Sequence, residues 1–396
     1  MDTKTATGAQ ITLQDLIDTS MRVGAVLESV RGTMLAPNAR KKPPIYSTNQ
    51  IAALCGLDKG QMDYRIKKGE LPAGLNEAGH RRKFTLAEAR IWATKERAKH
   101  LRPTNAEAIT IAVANFKGGV TKTTTAVTLA QGLSLRGHKV LVIDLDPQAS
   151  LTTLFGLLPD VDVTDDETLL PLCFGSEIAI DYAIRPTYWD GIDIVPANLA
   201  LYSAEFALPS RQKSEDVFEF WNVLTNGLDL VKSRYDVIVI DTSPSLSYLT
   251  INALLAADGL IMPLPPSTLD FASSGQFWNL YNELVSKLVT NRSKTKSYDF
   301  VDVLLARVDA NDASSSVVRD WIRAGYANMV LPVEIPKTLL TASASAEFGT
   351  VYDTDPTNIN ARTYRRAFDA YELVVDRVEE QINTAWARQI AKQGAK

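Results

Sequence analysis

The feature that most constrains this chain of 396 residues is a glycine-containing segment between an apolar run and a helical pattern. Residues 117–124 read Lys-Gly-Gly-Val-Thr-Lys-Thr-Thr, after the apolar run 109–113 and before the helical pattern 126–135. Backbone N–H groups at the start of a helix attract anions, and glycine lets the backbone approach a phosphate closely. A strand, a turn and a helix in this order therefore predict a phosphate-binding loop.

The loop predicts a nucleotide site with two lysines. It departs from the pattern G-x-x-x-x-G-K-[ST], because Phe116 and Thr121 stand at the glycine positions, and it matches the deviant form K-G-G-x-x-K-[ST]. Lys122 is expected to contact the β- and γ-phosphates and Thr123 to bind Mg²⁺. The alternative is an ordinary glycine turn. The predicted nucleotide contacts in the loop are Lys117, Gly118, Gly119, Val120, Thr121, Lys122, Thr123 and Thr124.

Two carboxylates follow apolar runs that are typical of buried parallel strands. Asp146 lies two residues after the run 139–144, and Asp241 ends the run 235–241. The carboxyl ends of parallel strands line the crevice in which α/β folds bind ligands. Asp241 is therefore predicted in the Mg²⁺ shell, directly or through water, and Asp146 is predicted to orient the attacking water or to contact the metal. The alternative is that each acid only caps a turn.

Bulk composition indicates an ordinary globular protein, with 45% hydrophobic and 22% charged residues, and the length predicts two or three domains. Cys55 and Cys173 lie far apart without metal-site spacing, which favours reduced, buried thiols in the cytosol over an iron–sulfur site. The chain contains no apolar run of about 18 residues and no export signal. We therefore expect a cytoplasmic protein.

Charge is distributed unevenly along the chain. Residues 37–102 contain 15 lysines and arginines against 6 acids, a net charge of +9, whereas the remainder carries −13. A basic module on an acidic body predicts a polyanionic partner for that module. An excess of solvated lysines is the alternative.

The N-terminal segment predicts one long amphipathic helix. Residues 11–34 carry apolar side chains at helical spacing in a single stripe, with Thr12 as N-cap and Pro37 as the stop. A helix of this kind must bury its stripe to be stable. Packing on its own domain is the plain interpretation of such a stripe.

Residues 46–66 predict a helix-turn-helix. Ser47 or Thr48 caps a first helix, Gly56 makes the turn, and a second helix covers 58–67. The second helix of this motif enters the major groove of DNA. The predicted base-reading residues are Lys59, Gln61, Met62 and Arg65.

A two-stranded wing is predicted next, from 69–74 and 79–84, before a helix that Thr85 caps and that runs to Ala98. The order of these elements resembles MerR-like winged helices. The wing cations would contact phosphates, and neutralising four to six of them predicts a log–log salt dependence of roughly −4 to −5. The alternative is a protein-interaction module. The wing cations are His80, Arg81, Arg82 and Lys83.

The deviant loop, the sequence Asp-Leu-Asp-Pro-Gln at 144–148 and Asp-Thr-Ser-Pro at 241–244 resemble the ParA/MinD class of dimeric ATPases. Residues 263–271 and the extra N-terminal region are similar to the long (type Ia) ParA proteins of plasmid and secondary-chromosome partition. The resemblance covers 105–396 well, and it implies the cofactors ATP or ADP and Mg²⁺. It also implies a P-loop NTPase fold, with a mostly parallel sheet flanked by helices.

The resemblance assigns roles to individual residues. Lys117 would reach across an ATP-sandwich dimer to the partner's nucleotide, Asp146 would support hydrolysis, and Asp241 would be the Walker B acid. The segment 263–271, which includes Pro265, would be a switch-like element near the nucleotide. Arg307 would contact adenine or the partner subunit, although it could equally be a salt-bridged strand end.

The helix predicted from residue 360 towards residue 389 begins with an arginine cluster. Arg362, Arg365 and Arg366 share one face near the helix start, where the helix dipole disfavours cations. The resemblance implies that such residues bind DNA of any sequence in the ATP-bound dimer. A solvated face, or ion pairs with neighbouring acids, is the alternative. The tail beyond Trp386 has too little apolar area for a membrane anchor.

Together these patterns predict three domains: an N-terminal helix at 1–36, a winged helix-turn-helix at 37–102 and an ATPase at 103–396. The resemblance implies dimerisation through the N-terminal helix, as the alternative to packing on its own domain. The resemblance implies a partition ATPase, slow unless stimulated, that acts as a homodimer on the nucleoid with a ParB-like centromere-binding protein. The N-terminal module would repress its own operon by binding operator DNA. The alternative is a nucleotide-gated transcription repressor without a segregation role.

Overall fold

The structure is a computed structural model that describes residues 10–34, 41–75, 82–215, 217–288, 296–337, 349–354 and 360–394. Two compact units are distinguished, 1–42 and 43–396. Within the described residues the helices are α1 Leu13–Met34, α2 Thr48–Cys55, α3 Lys59–Lys67, α4 Leu86–Glu96, α5 Lys122–Leu135, α6 Ser150–Leu154, α7 Leu170–Phe174, α8 Ala204–Ser214, α9 Val223–Leu228, α10 Tyr248–Ala256, α11 Thr268–Leu288, α12 Ala313–Tyr326 and α13 Ala361–Gly394. The strands are β1 Ile45–Ser47, β2 Lys83–Thr85, β3 Ile109–Val113, β4 Val140–Asp144, β5 Arg185–Pro186, β6 Ile192–Val195, β7 Val237–Asp241, β8 Gly259–Leu264, β9 Phe300–Val308 and β10 Val330–Pro336.

Eight strands form one sheet in the order β10-β9-β8-β3-β7-β4-β6-β5, and every neighbouring pair is parallel except β5 with β6. Successive residues of β3 point to opposite faces, so that Ile111 and Ala112 belong to different hydrophobic clusters. Helices cover both faces, which explains why the central strands are continuously apolar. The predicted mostly parallel α/β fold is confirmed.

Two strands of the eight-stranded sheet were not predicted from the sequence, and neither was β1 outside it. β10 forms one edge of the sheet and contains Pro332 and Pro336, which cannot donate ladder hydrogen bonds. β5 is only two residues long and lies at the other edge. Edge strands tolerate such residues and lengths, so their sequences resemble loops.

Helix α1 begins as predicted, because Thr12 and Asp15 exchange side-chain-to-backbone hydrogen bonds of 2.8 Å and 3.2 Å. Its apolar residues Leu13, Leu16 and Val23 are exposed. The use of this stripe for dimerisation stays a prediction.

No helix among the described ranges is long and apolar enough to cross a membrane.

The two helices predicted after residue 46 are present. Ser47 caps α2 through a capping box with Gln50, Gly56 ends that helix at φ +64°, and Asp58 caps α3.

The prediction that both cysteines are buried is partly wrong, since Cys173 is buried but Cys55 is only partly so.

The wing differs from its prediction. Strand β2 pairs with β1, Phe84 opposite Tyr46, and the predicted strand 69–74 does not form; only a single bridge joins Leu75 to Lys83. Phe84 is fully buried and its ring meets Trp92 edge-on, which draws β2 towards the core. Residues 76–81 lie outside the described residues.

Helix α4 packs directly on the ATPase part of the second unit. Arg90 donates to the backbone oxygens of Ser134 and His138 and pairs with Asp190 at 2.6 Å. The contact is so close that a Cβ atom on Gly191 would lie 2.1 Å from Arg90 Cζ. The predicted domain boundary at 102/103 therefore lies inside the second compact unit. The division into a DNA-binding domain and an ATPase domain remains a prediction.

Candidate nucleotide-binding site

The predicted phosphate loop leaves the centre of the sheet. Strand β3 is completely buried between β7 and β8, and its loop leads into α5. Gly119 and Thr121 both have left-handed backbones, with φ of +73° and +76°. For Thr121 this conformation costs about 1 kcal/mol relative to glycine. The loop thus keeps its turn at a position where the sequence lacks the expected glycine.

A buried asparagine that the motif does not include holds the loop in place. Asn115 donates to the Pro263 backbone oxygen at 2.8 Å and accepts from the Lys117 N–H at 3.0 Å. Arg307, with φ of +54°, donates to the Gly119 backbone oxygen at 2.8 Å. The ends of β8 and β9 therefore fix both sides of the loop. A buried amide directly after an apolar strand was the signal that could have indicated Asn115.

The two lysines of the motif have different surroundings. Lys122 is buried and donates to the Lys117 backbone oxygen at 3.0 Å; burial lowers its pKa, which Asp241 and Asp146 oppose. The Lys117 side chain is 42% exposed, and its Nζ lies 3.6 Å from Asp270 Oδ1 in the first turn of α11. Lys122 thus points inward along the loop, whereas Lys117 lies at the surface of its own subunit.

Two aspartates meet beside Lys122. Asp144 and Asp241 end the neighbouring strands β4 and β7 and lie directly opposite each other. Burial raises the pKa of Asp144 to about 7, although the Thr152 hydroxyl and N–H donate to it at 2.7 and 2.8 Å. Burial, followed by the repulsion from Asp144, raises the pKa of Asp241 well above its ordinary value, which Thr123 and Lys122 only partly offset.

The residues present fit a magnesium ion bound together with phosphates. Asp241 Oδ2 is buried and has no hydrogen-bond partner within the described part of the chain, and the Thr123 hydroxyl lies beside this carboxylate. No group of three or more His, Cys, Asp or Glu in that part could hold a metal unaided. Mg²⁺ commonly uses one or two carboxylates and takes its other ligands from water and substrate phosphates.

The remaining predicted nucleotide residues surround this centre. Asp146 is half-buried, and its Oδ1 accepts from the Gln148 N–H at 3.0 Å. Pro265 follows directly after β8, and its backbone oxygen accepts from the Ser267 N–H. The roles of Asp146, Pro265 and Arg307 stay predictions. Asp270, the neighbour of Lys117, belongs to the segment 263–271 but was not named as a site residue.

The predicted DNA-binding residues lie on separate elements. Met62 is fully buried, so its place on the base-reading face was wrong. Gln61 is part of the capping box of α3, and Arg65 pairs with Glu96. Of the wing cations, Arg82 lies 3.7 Å from Asp63 and Lys83 is in β2, whereas His80 and Arg81 are outside the described residues. The exposed residues among those predicted are Lys59 and Gln61 in α3, Lys83 in β2, and Arg362, Arg365 and Arg366 in α13.

Comparison with known proteins identifies relatives over nearly the whole chain. A family model described as an AAA domain matches residues 108–294. A putative replication protein A of Sinorhizobium fredii is 31% identical over 89% of this chain and 90% of its own length. Protein SopA of Escherichia coli K12 is 30% identical over 88% of this chain and 90% of its own.

Solved structures share the fold. Cobyrinic acid a,c-diamide synthase from Mycobacterium smegmatis, with a bound ATP analogue and magnesium, is 28% identical over 68% of this chain and 93% of that one, with a TM-score of 0.53. A structure named as a partition protein, 23% identical, matches 89% of this chain and 98% of its own with a TM-score of 0.58. Since the similarity to SopA and to the replication protein extends over nine-tenths of each relative, the chain belongs to the ParA-type family of P-loop ATPases.

Proposed function

We propose that this protein is a DNA-partition ATPase that binds ATP and Mg²⁺ in the loop after β3 and hydrolyses the nucleotide in a homodimer. The observation that carries the proposal is the buried Lys122 beside Asp241, whose Oδ2 lacks a hydrogen-bond partner among the described residues. A lysine at the start of a helix next to a strand-end carboxylate is suited to a metal–phosphate complex.

Each residue has a distinct role in this proposal. The backbone N–H groups of 118–121, with Lys122 and Thr124, would bind the phosphates, and Thr123 and Asp241 would hold the ion directly or through water. Bound Mg²⁺ supplies positive charge that neutralises the phosphate oxygens. Asp146, half-buried at the edge of the site, would orient the attacking water.

The dimer would complete the site. Lys117 is partly exposed, and within the described residues its ammonium has a single ion pair, at 3.6 Å with Asp270, so that it can turn to a nucleotide on a second copy. The exposed stripe of α1 offers a further apolar surface for the same homodimer. Because two surfaces would contribute, loss of either one should weaken the dimer without removing the nucleotide site.

The protein would contact DNA in two ways, one through α13 and one through the N-terminal module. Arg362, Arg365 and Arg366 would bind DNA of any sequence in the ATP-bound dimer on the nucleoid, and a ParB-like protein would stimulate hydrolysis and release. The N-terminal module would bind the operator and repress the operon, in the cytoplasm, with ADP bound. This switch requires that each nucleotide has different affinities for the two conformations.

Fluorescence anisotropy with the full-length protein tests the proposal. Labelled random duplex and the region upstream of the gene are titrated in the presence of ATP or ADP. We expect ATP to confer binding to random duplex and ADP to favour the upstream region. Absence of ATP-dependent binding to random duplex would contradict the partition function.

A second candidate is a nucleotide-gated repressor without a segregation role. The hydrogen bonds from Arg90 of α4 to the end of α5 support it, because they connect the N-terminal module to the helix that begins at the phosphate loop. Upstream DNA bound without any ATP-dependent binding to random duplex would favour this candidate. The absence of a ParB-like gene immediately downstream would favour it further.

A further inference from the structure

Helix α3 presents to solvent a surface that differs from the predicted base-reading face. Three of its exposed residues, together with the residue that follows the helix, are centred on Tyr64, which is 55% exposed. Residues three and four apart lie on one side of a helix. We call this surface the tyrosine face; its members are Gln61, Tyr64, Lys67 and Lys68.

Two of the predicted base-reading residues point elsewhere. Met62 is fully buried in the hydrophobic cluster that also contains Ile51. Arg65 is tied to α4, because its Nη2 lies 2.6 Å from Glu96 Oε2 and the Glu96 side chain is only 11% exposed. A carboxylate in this position neutralises the guanidinium that would otherwise attract a phosphate. Arg65 therefore stabilises the angle between α3 and α4.

Tyr64 has the environment of a contact residue. Its ring is not part of the buried core, and the Lys68 ammonium lies 4.7 Å from the ring centroid. A tyrosine combines a large apolar surface with a hydroxyl that can donate to a phosphate or a base. The ring could also contact a thymine methyl group.

The charges around Tyr64 favour a polyanion. Lys67 and Lys59 are exposed and have no ion pair with the rest of the described chain, whereas Lys68 lies 3.5 Å from Glu70. Asp63 is near Arg82, and Asp58 is used as the N-cap of α3. The acids of this surface are thus engaged locally, which leaves cations to face a partner.

We propose that the tyrosine face is the DNA-contacting surface of the N-terminal module, with Tyr64 as its central contact to duplex DNA and Arg65 as an internal tie. This inference rests on the proposed operator-binding function. It assigns the main contribution to operator affinity to Tyr64 and not to Arg65. Lys67 and Lys68 would contact phosphates on either side.

The test compares Tyr64→Ala with Arg65→Gln in the full-length protein. Anisotropy with upstream duplex and with random duplex measures DNA binding, and thermal unfolding measures stability. We expect Tyr64→Ala to weaken binding to upstream duplex about ten-fold or more at unchanged Tm. Arg65→Gln should lower the Tm but keep upstream affinity within about three-fold.

Three outcomes decide the inference. Undiminished upstream binding by Tyr64→Ala, with wild type binding normally, overturns it and leaves operator binding standing. A large loss in Arg65→Gln at unchanged Tm also overturns it, in favour of Arg65 as the DNA contact. If wild type itself does not bind upstream DNA, the proposed operator function fails, and the inference fails with it.

A conservative variant sharpens a positive result. Tyr64→Phe keeps the ring and removes the hydroxyl, so a loss equal to that of Tyr64→Ala assigns the contact to the hydroxyl, and retained affinity assigns it to the ring. Lys67→Ala should reduce the salt slope of upstream binding by about 1. An unchanged slope would overturn the assignment of Lys67 to a phosphate.

Discussion

The phosphate loop and helix α3 were both predicted from short sequence patterns, yet their side chains agree with prediction to different degrees. In the loop, Lys122 and Thr123 lie beside Asp241, as the motif requires. In α3, Met62 is buried and Arg65 is paired with Glu96. A phosphate site depends on backbone conformation and on strand ends, which local sequence specifies. The exposed face of a short helix depends on what packs behind it.

The largest expected effect is on nucleotide binding by the phosphate loop. Lys122→Ala removes the only ammonium of the motif that is buried against the phosphate site, so nucleotide affinity should fall at least about 100-fold. Isothermal titration with an ATP analogue and Mg²⁺ measures it. Lys117→Ala changes the exposed lysine of the same loop, and the monomer of this variant should still bind the nucleotide. Undiminished affinity in Lys122→Ala would refute the loop assignment.

The next effect concerns the contact between the N-terminal module and the ATPase. Burial alone would raise the pKa of Glu379, but the His138 hydrogen bond at 2.8 Å and the Arg97 ion pair lower it to about 2. The folded pKa is below the ordinary value of 4.5, so the interaction is present above pH 4.5 and is lost as pH falls towards 2.

Glu379→Gln should therefore cost about 2–3 kcal/mol of unfolding free energy at neutral pH, and the difference from wild type should shrink as pH falls below about 4.5. Urea unfolding at several pH values measures this. The matched control is Glu380→Gln on the same helix, because the ion pair of Glu380 within the described residues is an exposed one with Arg377. A pH-independent difference would mean that Glu379 does not stabilise the fold through its charge.

A third prediction separates the two proposed DNA surfaces. Arg365→Ala combined with Arg366→Ala should weaken ATP-dependent binding to random duplex about ten-fold and leave upstream binding intact, because both arginines are exposed on α13. Arg377→Ala, further along the same helix, serves as the control. Equal loss of both activities, measured by anisotropy, would mean that the two kinds of DNA share one surface.

The smallest expected effect is a change in stability caused by a substitution in the phosphate loop. Thr121→Gly should relieve the left-handed strain at φ +76° and stabilise the protein by up to about 1 kcal/mol, less the entropy that glycine loses on folding. Thermal unfolding without nucleotide measures it. Thr124→Gly, within the first turn of α5, should instead destabilise the protein. A destabilising Thr121→Gly would show that the threonine side chain contributes more than its backbone costs.

The sequence alone determined the α/β class, the position of the phosphate loop and the strand-end acid Asp241, because buried parallel strands require continuous apolar runs and phosphate loops require a local pattern. Asp144, which ends the neighbouring strand opposite Asp241, was not among the predicted site residues. The sequence also located the caps of α1, α2 and α4, since capping involves neighbours three residues apart. It missed β10, whose prolines are tolerated only at an edge, and Asn115, whose partner Pro263 lies 148 residues away.

Only the tertiary structure decided which side chains are free to act. The pairing of β2 with β1 accompanies burial of Phe84 against Trp92, and Arg65 is directed towards α4 by its ion pair with Glu96. Both follow from contacts between elements separated by sequence. Local patterns specify backbone conformation well, but the direction in which a helix or strand faces is set by the packing of its other side.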